Sequence, residues 1–255
     1  MTLVNFDTII GHTGLVGSHI CASNSFSHYV NSRNIDDYVN RDLQAAVVTA
    51  GDARKWYAKD NPTEFEKAQD ELFEKIASMN FRDIILISTT DVLDISSATE
   101  ERVIDPLNIK THYGKVKYKF EQDLGEICNL KIIRLPGLFG AGLKKNLIFD
   151  LINNSKITPM NPASTFQMFD LINIKSYLDL IIRKNIPLLH LAVEPTSVLD
   201  ICTLFGRLDL IDIKAPKFSY DMKSIYAQQT SDNSYFQNKT EVINGIIKFR
   251  DSYYL

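Results

Sequence analysis

Three glycines that follow a short apolar segment constrain the fold of this 255-residue chain more than any other feature. Residues 8–10 are an apolar run, Gly11, Gly14 and Gly17 come next, and an apolar-periodic segment follows directly. This order predicts a strand, a tight turn and a helix. Such a turn brings backbone N–H groups close to a diphosphate. The spacing Gly-x-x-Gly-x-x-Gly taken alone also fits an ordinary glycine-rich turn.

Composition limits the classes of protein that this turn can belong to. With 45% hydrophobic and 23% charged residues, the chain can bury the core of one large α/β domain or of one domain with a small lobe. A net charge of -3 and dispersed lysines and arginines give no reason to expect a nucleic-acid partner. Three separated cysteines favour buried free thiols over disulfides or a metal site, and a reducing cytoplasmic location follows. The first strand begins too early for a signal peptide, and no apolar run reaches the roughly 20 residues of a membrane helix.

Apolar runs alternate with amphipathic segments along the chain, which is typical of a parallel sheet with flanking helices. The predicted strands lie at 8–10, 27–31, within 42–51, and at 83–88, 131–135, 166–171 and 188–192. The predicted helices lie at 62–79, 113–124, 147–152, 174–183, 198–205 and 239–252. Nine residues separate Arg33 from Leu43, too few for a complete crossover helix, so a shortened connection is expected there. We predict a Rossmann-type, doubly wound α/β domain over residues 1–142, while residues 143–255 complete the sheet and form a small substrate lobe.

The end of the second predicted strand bears on the choice of dinucleotide. About 20 residues past the first glycine, where such sites meet the adenosine ribose, the chain reads Asn31-Ser32-Arg33. An acid there would bond a free 2′-hydroxyl and repel a 2′-phosphate, whereas a neutral residue followed by arginine accommodates the phosphate. The sequence therefore favours NADP(H), with NAD(H) as the alternative because Asp36 and Asp37 lie nearby.

Tyr113 and Lys117 are four residues apart and so share one face of a predicted helix. An ammonium beside a tyrosine, helped by an oxidised nicotinamide, favours the phenolate and lowers the pKa of the phenol towards the working range of an acid-base catalyst. Thr89, at the end of the preceding core strand, can hydrogen-bond the same substrate oxygen. The pair alone fits a solvated face of this lysine-rich helix equally well.

The order of these motifs, followed by Arg134-Leu-Pro-Gly-Leu-Phe-Gly-Ala-Gly142, resembles the extended short-chain dehydrogenase/reductase family in its nucleotide-sugar epimerase and dehydratase branch. The likeness covers nearly the whole chain. It implies an NAD(P)-dependent oxidoreductase or epimerase that acts on a carbohydrate, as a nucleotide-sugar, in polysaccharide biosynthesis. The competing class is a non-catalytic NADP(H)-binding sensor or assembly protein on the same fold.

The resemblance implies a role for each matching residue. Tyr113 would be the acid/base, Lys117 would bind the nicotinamide ribose, and Thr89 would position the substrate carbonyl or carbinol. Asp91 and Asn146 would contact substrate. The implied cofactor set, besides Tyr113 and Lys117, is Gly11, Thr13, Gly14, Leu15, Val16, Gly17, Asn31, Ser32, Arg33, Ala50, Gly51, Pro136 and Gly137.

Two further expectations follow from the resemblance. Family members that remove water carry Thr-Asp-Glu where this chain has Thr89-Thr90-Asp91, so simple dehydration is not expected. In this family the helices that correspond to 62–79 and 113–124 pair across a two-fold axis, which predicts a homodimer. Phe65, Phe73 and Phe120 are candidate contacts, although each fits the chain's own core equally well.

Overall fold

A computed structural model describes residues 6–93, 101, 104–227 and 234–253. The described strands are β1 (Thr8–Ile10), β2 (His28–Val30), β3 (Ala45–Val48), β4 (Asp83–Thr89), β5 (Asn129–Leu135), β6 (Gly137–Phe139), β7 (Thr165–Phe166), β8 (Met168–Asp170), β9 (Leu188–His190) and β10 (Thr196–Ser197). The described α-helices are α1 (Leu15–Ser23), α2 (Lys55–Asp60), α3 (Pro62–Ala77), α4 (His112–Ile127), α5 (Leu147–Ile152), α6 (Ile174–Arg183), α7 (Val198–Leu204) and α8 (Lys239–Tyr253).

The chain divides into two compact units, and neither is continuous in sequence. The first unit comprises residues 1–94, 102–134 and 173–189. The second comprises residues 95–101, 135–172 and 190–255. Each unit is described by itself below.

A six-stranded parallel sheet with the order β2-β1-β3-β4-β5-β9 forms the centre of the fold. Thr8 of β1 pairs with His28 on one side and with Ala46 on the other. The chain therefore steps to one side of β1 first and then to the opposite side, so the strand order reverses at β1. Ligands of open α/β sheets bind at the carboxyl ends of the strands where this reversal occurs. The predicted Rossmann-type sheet is confirmed, and the glycine turn lies at its reversal point.

The connection from β2 to β3 is short, as the sequence predicts. A single 3₁₀ turn over Ile35–Tyr38 replaces a crossover helix, and Ile35 is buried in the core. In the part of the chain that the structure describes, no strand lies outside β2 in this sheet, so β2 is an edge strand there.

Helices α3 and α4 pack against each other in the first unit. Pro62 occupies the first turn of α3, and the Thr111 hydroxyl accepts the N–H of Gly114 to cap α4. Phe65 packs with Tyr113, and Phe120 packs with the sheet core, each almost fully buried within this one chain. These two phenylalanines, offered as dimer contacts by the sequence, therefore belong to the intramolecular core, and Phe73 is partly buried beside it.

In the second unit, the predicted strand at 166–171 is divided at Gln167. β7 pairs antiparallel with β10, whereas β8 pairs parallel with β6. The buried Gln167 amide donates to the carbonyls of Val193 and Met222 at 2.6 and 2.8 Å and accepts the Met222 N–H at 2.7 Å. The Gln167 side chain thus provides hydrogen-bond partners for backbone groups at the point where the chain passes from the β7–β10 pair to the β6–β8 pair. None of the described helices combines the length and the apolar character that a membrane span requires.

Candidate functional site

The glycine turn after β1 is built by close approach of backbone to backbone. Gly11 has φ +94°, and a Cβ at this position would lie 2.7 Å from the backbone nitrogen of Ala50. A Cβ at Gly17 would lie 2.2 Å from the Gly11 carbonyl oxygen, so only glycine lets α1 start this close to β1. Gly14 is the N-cap of α1 and has no side chain that could cap that end. The free N–H groups at the start of α1 are therefore suited to an anion.

A cleft of about 430 Å³ lies beside this turn in the first unit. Of the predicted cofactor residues, it is lined by Gly11, Thr13, Gly14, Asn31, Ser32, Ala50 and Gly51. The cleft is also lined by residues that the sequence analysis did not single out: Ile10, Ile35, Thr49, Asp52, Ala68, Glu71, Leu72 and Lys75. Seven predicted cofactor residues of the first unit are thus brought together. The other predicted residues of this unit do not line the cleft: Leu15, Val16, Gly17, Arg33, Tyr113 and Lys117.

The far end of the cleft carries both signs of charge. Arg33 is exposed, and its backbone N–H donates to the Asn31 side chain at 2.8 Å. Lys75 of α3 lines the same cleft as Asn31 and Ser32, and its Nζ lies 2.7 Å from a carboxylate oxygen of Asp36. The sequence analysis kept NAD(H) as the alternative because Asp36 lies nearby. In the structure Asp36 is paired with Lys75 of α3, which lines the cleft.

Tyr113 and Lys117 lie on the same face of α4, as predicted. The phenol of Tyr113 is 8% exposed, and the Nζ of Lys117 lies 5.7 Å from the centroid of its ring. Burial raises the pKa of Tyr113, and the negative charges of Asp91 and Asp52 raise it further. In the chain without a dinucleotide these effects hold the pKa of Tyr113 above its usual value, and the lowering expected from Lys117 together with an oxidised nicotinamide stays a prediction.

Thr89 ends β4, and its hydroxyl donates to the Asp91 carboxylate at 2.8 Å. Asp91 is also paired with Lys55, whose Nζ lies 2.7 Å from a carboxylate oxygen. The Asp91 side chain is 9% exposed and that of Lys55 is 59% exposed, so the pair extends from the interior to the surface. The short 3₁₀ helix Thr90–Val92 packs against α4, which places Thr89 and Asp91 on the same side of the unit as Tyr113.

Lys117 has surroundings that the sequence did not indicate. Its Nζ donates to the Gln69 side-chain oxygen at 2.7 Å. Gly51 has φ +114°, and a Cβ there would lie 2.6 Å from the same Nζ, so a larger residue would displace the ammonium. Burial lowers the pKa of Lys117 to about 8, while the charge of Asp52 raises it. Burial also raises the pKa of Asp52, but the hydrogen bonds and charge of Arg54 outweigh this and hold it below its usual range.

The remaining predicted residues belong to the second unit. Pro136 precedes β6, and Gly137 pairs with Met168 in the parallel β6–β8 ladder. Asn146 caps α5: its side-chain oxygen accepts the Phe149 N–H at 3.1 Å, and its amide donates to the Leu138 carbonyl at 2.7 Å. Its predicted contact with substrate stays a prediction.

No group of three or more His, Cys, Asp or Glu side chains suited to a metal ion occurs among the residues whose placement is described.

Comparison with known proteins gives structural matches but no sequence match. No protein-family model matches the chain, and a search of curated proteins finds no match. Among solved structures, a dTDP-4-dehydrorhamnose reductase from Clostridium acetobutylicum superposes with a TM-score of 0.72 at 16% identity, covering 97% of this chain and 99% of that one. A UDP-N-acetylglucosamine 4-epimerase from Bacillus cereus gives 0.66 at 17% identity, covering 96% and 98%. This chain has the fold of nucleotide-sugar epimerases and reductases.

A third structure, MoeE5 in complex with UDP-glucose and NAD, superposes with a TM-score of 0.70 at 12% identity and covers 97% of this chain and 99% of that one. Coverage is nearly complete on both sides in all three comparisons, so both units of this chain are included in the likeness. The fold expected from the resemblance to the extended short-chain dehydrogenases/reductases is confirmed.

Proposed function

We propose that this chain is an NAD(P)-dependent oxidoreductase or epimerase that acts on a carbohydrate, with a nucleotide-sugar as the substrate class. One observation carries the proposal: the ammonium of Lys117, which lies 5.7 Å from the Tyr113 ring, is beside Gly51 in the wall of a cleft that begins at a glycine turn suited to a diphosphate. The matching fold of MoeE5, whose structure contains UDP-glucose and NAD, supports the same substrate class and cofactor.

The residues present fit a dinucleotide. The turn at Gly11 and Gly17 leaves no room for side chains, and the uncapped start of α1 offers N–H groups to the diphosphate. Asn31, Ser32 and Arg33 would hold the adenosine end, with Lys75 as a second cation there that favours NADP(H). When bound, the dinucleotide supplies a nicotinamide carbon that accepts or donates hydride.

Tyr113 would exchange a proton with the substrate oxygen. Because burial and two carboxylates raise its pKa, the phenol keeps its proton at neutral pH in the chain by itself. It is therefore suited to donate that proton as a carbonyl is reduced to a hydroxyl. In the opposite direction Tyr113 must take the hydroxyl proton, and the Lys117 ammonium at 5.7 Å from its ring favours the phenolate required for this step.

Thr89 and Asp91 would orient the reacting oxygen. The Thr89 hydroxyl donates to Asp91, so it can turn to a substrate oxygen while its own oxygen keeps the Asp91 N–H, which lies at 3.2 Å. Thr90 stands where a carboxylic acid would be needed for dehydration, so the proposal is limited to hydride transfer and to epimerisation through a keto intermediate.

The alternative function is a non-catalytic NADP(H)-binding sensor or assembly protein. A binding protein has no need for a buried tyrosine beside a lysine, and the two functions differ in what a Tyr113 substitution changes. A sensor would keep all its properties without the phenol oxygen.

The first prediction tests this difference with Tyr113→Phe. Ring packing is kept and the transferable proton is lost, so dinucleotide affinity should stay near that of the wild type while turnover falls about 10²–10⁴-fold. Dinucleotide binding is measured by fluorescence titration. Turnover is measured as hydride exchange or epimerisation with UDP-glucose, UDP-glucuronic acid, UDP-N-acetylglucosamine and dTDP-linked keto sugars, followed by NMR.

Tyr118→Phe is the matched control, since Tyr118 lies on the same helix outside the site and should leave both measurements unchanged. Wild-type turnover in Tyr113→Phe would show that the catalytic assignment is wrong. If dinucleotide binds but no carbohydrate in the panel is ever turned over, the sensor function replaces the enzyme.

A further inference from the structure

Gln69 is a polar residue in the interior, on the face of α3 that packs against α4. It is 5% exposed, whereas glutamines in helices mostly face solvent. Its neighbours on this face, Phe65 and Ile76, are apolar and almost fully buried. A buried amide must gain hydrogen bonds to offset the loss of water, so its partners indicate why it is there.

The oxygen of the Gln69 amide has a hydrogen-bond partner. The side-chain oxygen of Gln69 accepts a hydrogen bond from the Lys117 ammonium at 2.7 Å. An amide turned by 180° would point its N–H₂ at the ammonium and put two donors together. Lys117 therefore fixes the orientation of the amide, with oxygen towards the lysine.

The other end has no partner. The amide nitrogen of Gln69 is buried and makes no hydrogen bond to any residue that the structure describes. It lies 3.7 Å from the point that a Cβ on Gly51 would occupy, beside the same wall residue of the cleft that contacts Lys117. A buried donor without a partner is costly, and at the edge of a binding cleft it indicates a ligand acceptor.

We propose that Gln69 is a positioning residue for the dinucleotide: its oxygen holds the Lys117 ammonium beside Gly51, and its free N–H donates to an oxygen of the bound nicotinamide ribose. This inference rests on the proposed function, since it assigns the nicotinamide end of the same cleft. The lysine and the amide then act as two adjacent donors to one sugar.

The hydrogen bond to Gln69 also bears on the charge of Lys117. Burial lowers the pKa of this lysine to about 8, so the ammonium is only moderately stable near neutral pH. The charged group that opposes this is Asp52, which follows β3, and the neutral phenol of Tyr113 lies on the same helix. An acceptor on α3 favours the charged form, so loss of that acceptor should lower the lysine pKa further.

The test compares Gln69→Met, which removes both polar atoms at similar volume, with Gln69→Glu, which keeps an acceptor for Lys117 but removes the donor. Dinucleotide affinity is measured by isothermal titration calorimetry with NADPH and NADH. The titration of Lys117 is followed by NMR of protein labelled with ¹³C at the lysine ε-carbon, with Lys117→Arg for assignment. Gln122→Met, at an exposed position of α4, is the matched control and should change neither measurement.

Gln69→Met should weaken dinucleotide binding about tenfold to a hundredfold and move the Lys117 midpoint to lower pH. Gln69→Glu should move that midpoint to higher pH, because a carboxylate favours the ammonium, and still bind dinucleotide about threefold to tenfold more weakly. A merely structural role would not shift the midpoint in opposite directions. Circular dichroism establishes that each variant is folded. If Gln69→Met is unstable, Gln69→Glu still tests the proposal, because it retains a polar side chain of the same size.

The two proposals fail in different ways. If the wild type binds dinucleotide and Gln69→Met binds it equally well, the assignment of Gln69 is wrong while the proposed function stands. The same holds if the Lys117 midpoint is unmoved in both variants. If the wild type binds neither NADPH nor NADH, the proposed function is overturned and this inference with it.

Discussion

Single side chains at the end of the cleft decide which dinucleotide the site would prefer. Arg33 is exposed and directly follows Asn31 and Ser32, which line the cleft together with Lys75 of α3. Asp36 is the acid that could oppose a 2′-phosphate, but its carboxylate is paired with Lys75 at 2.7 Å. A phosphate that displaces this carboxylate would gain a lysine and an arginine, which favours NADP(H).

The residue-scale prediction is that the wild type binds NADPH more tightly than NADH and that Arg33→Ala reduces this difference in affinity. The loss should be about threefold to thirtyfold in NADPH affinity, since one charge-assisted hydrogen bond to an exposed phosphate is lost, with little change for NADH. Fluorescence titration measures both. Arg41→Ala, in the same connection but stacked on Tyr38, is the control. Tighter binding of NADH by the wild type would refute the preference.

A buried ion pair between Glu121 and Arg134 holds helix α4 against the sheet. Tyr113, Lys117 and Glu121 follow one another at intervals of four and so lie on one face. The Glu121 carboxylate accepts hydrogen bonds from Arg134 of β5 at 2.5 and 3.1 Å and from the Ser88 hydroxyl of β4 at 2.5 Å. Both charged side chains are 3% exposed or less. Three elements are therefore joined two turns from the tyrosine.

At the scale of elements we predict that Glu121→Ala lowers the free energy of unfolding by about 3–5 kcal/mol, because Arg134 is left as a buried charge without its carboxylate. Urea unfolding followed by circular dichroism measures this. Lys119→Ala is the control on the same helix: its ion pairs with Asp70 and Asp123 are exposed, so the change should be about 0–1 kcal/mol. Equal effects of the two substitutions would mean that the buried pair does not stabilise the position of α4.

At the scale of the whole molecule, the prediction concerns the oligomeric state. The sequence predicts a homodimer through the helices that the structure assigns as α3 and α4. Since Phe65 and Phe120 face the chain's own core, such an interface would use the opposite faces of these helices. Those faces carry charged residues, among them the Lys119–Asp70 ion pair that joins α3 to α4.

The molecular-scale prediction is a mass of twice the 29.0 kDa of one chain by light scattering at micromolar concentration. Lys119→Glu adds negative charge to the outer face that already carries Asp70 and Asp123. In a two-fold dimer this face would meet the same face of the second copy, so repulsion between the copies should shift the equilibrium towards the monomer. Lys184→Glu, at the C-cap of α6, is the control and should leave the mass unchanged. A wild-type mass of one chain under these conditions would count against the dimer.

The sequence by itself determined the elements and the local motifs. The glycine turn, the short connection after β2 and the shared face of Tyr113 and Lys117 follow from spacings within one segment of chain. So do the strands and helices of the first unit other than α2, which the sequence analysis did not predict. Such spacings are local, because the periods of a helix and a strand and the steric freedom of glycine depend only on neighbouring residues.

Only the tertiary structure decided which segments meet. Gln69 reaches Lys117 across 48 residues, and Lys55 reaches Asp91 across 36, and neither pair follows a pattern that the sequence could display. The raised pKa of Tyr113 likewise comes from burial and from carboxylates on other segments. Contacts of this kind depend on the order of strands in the sheet and on the packing of α3 against α4, and these arise from the chain as a whole rather than from any one stretch of it.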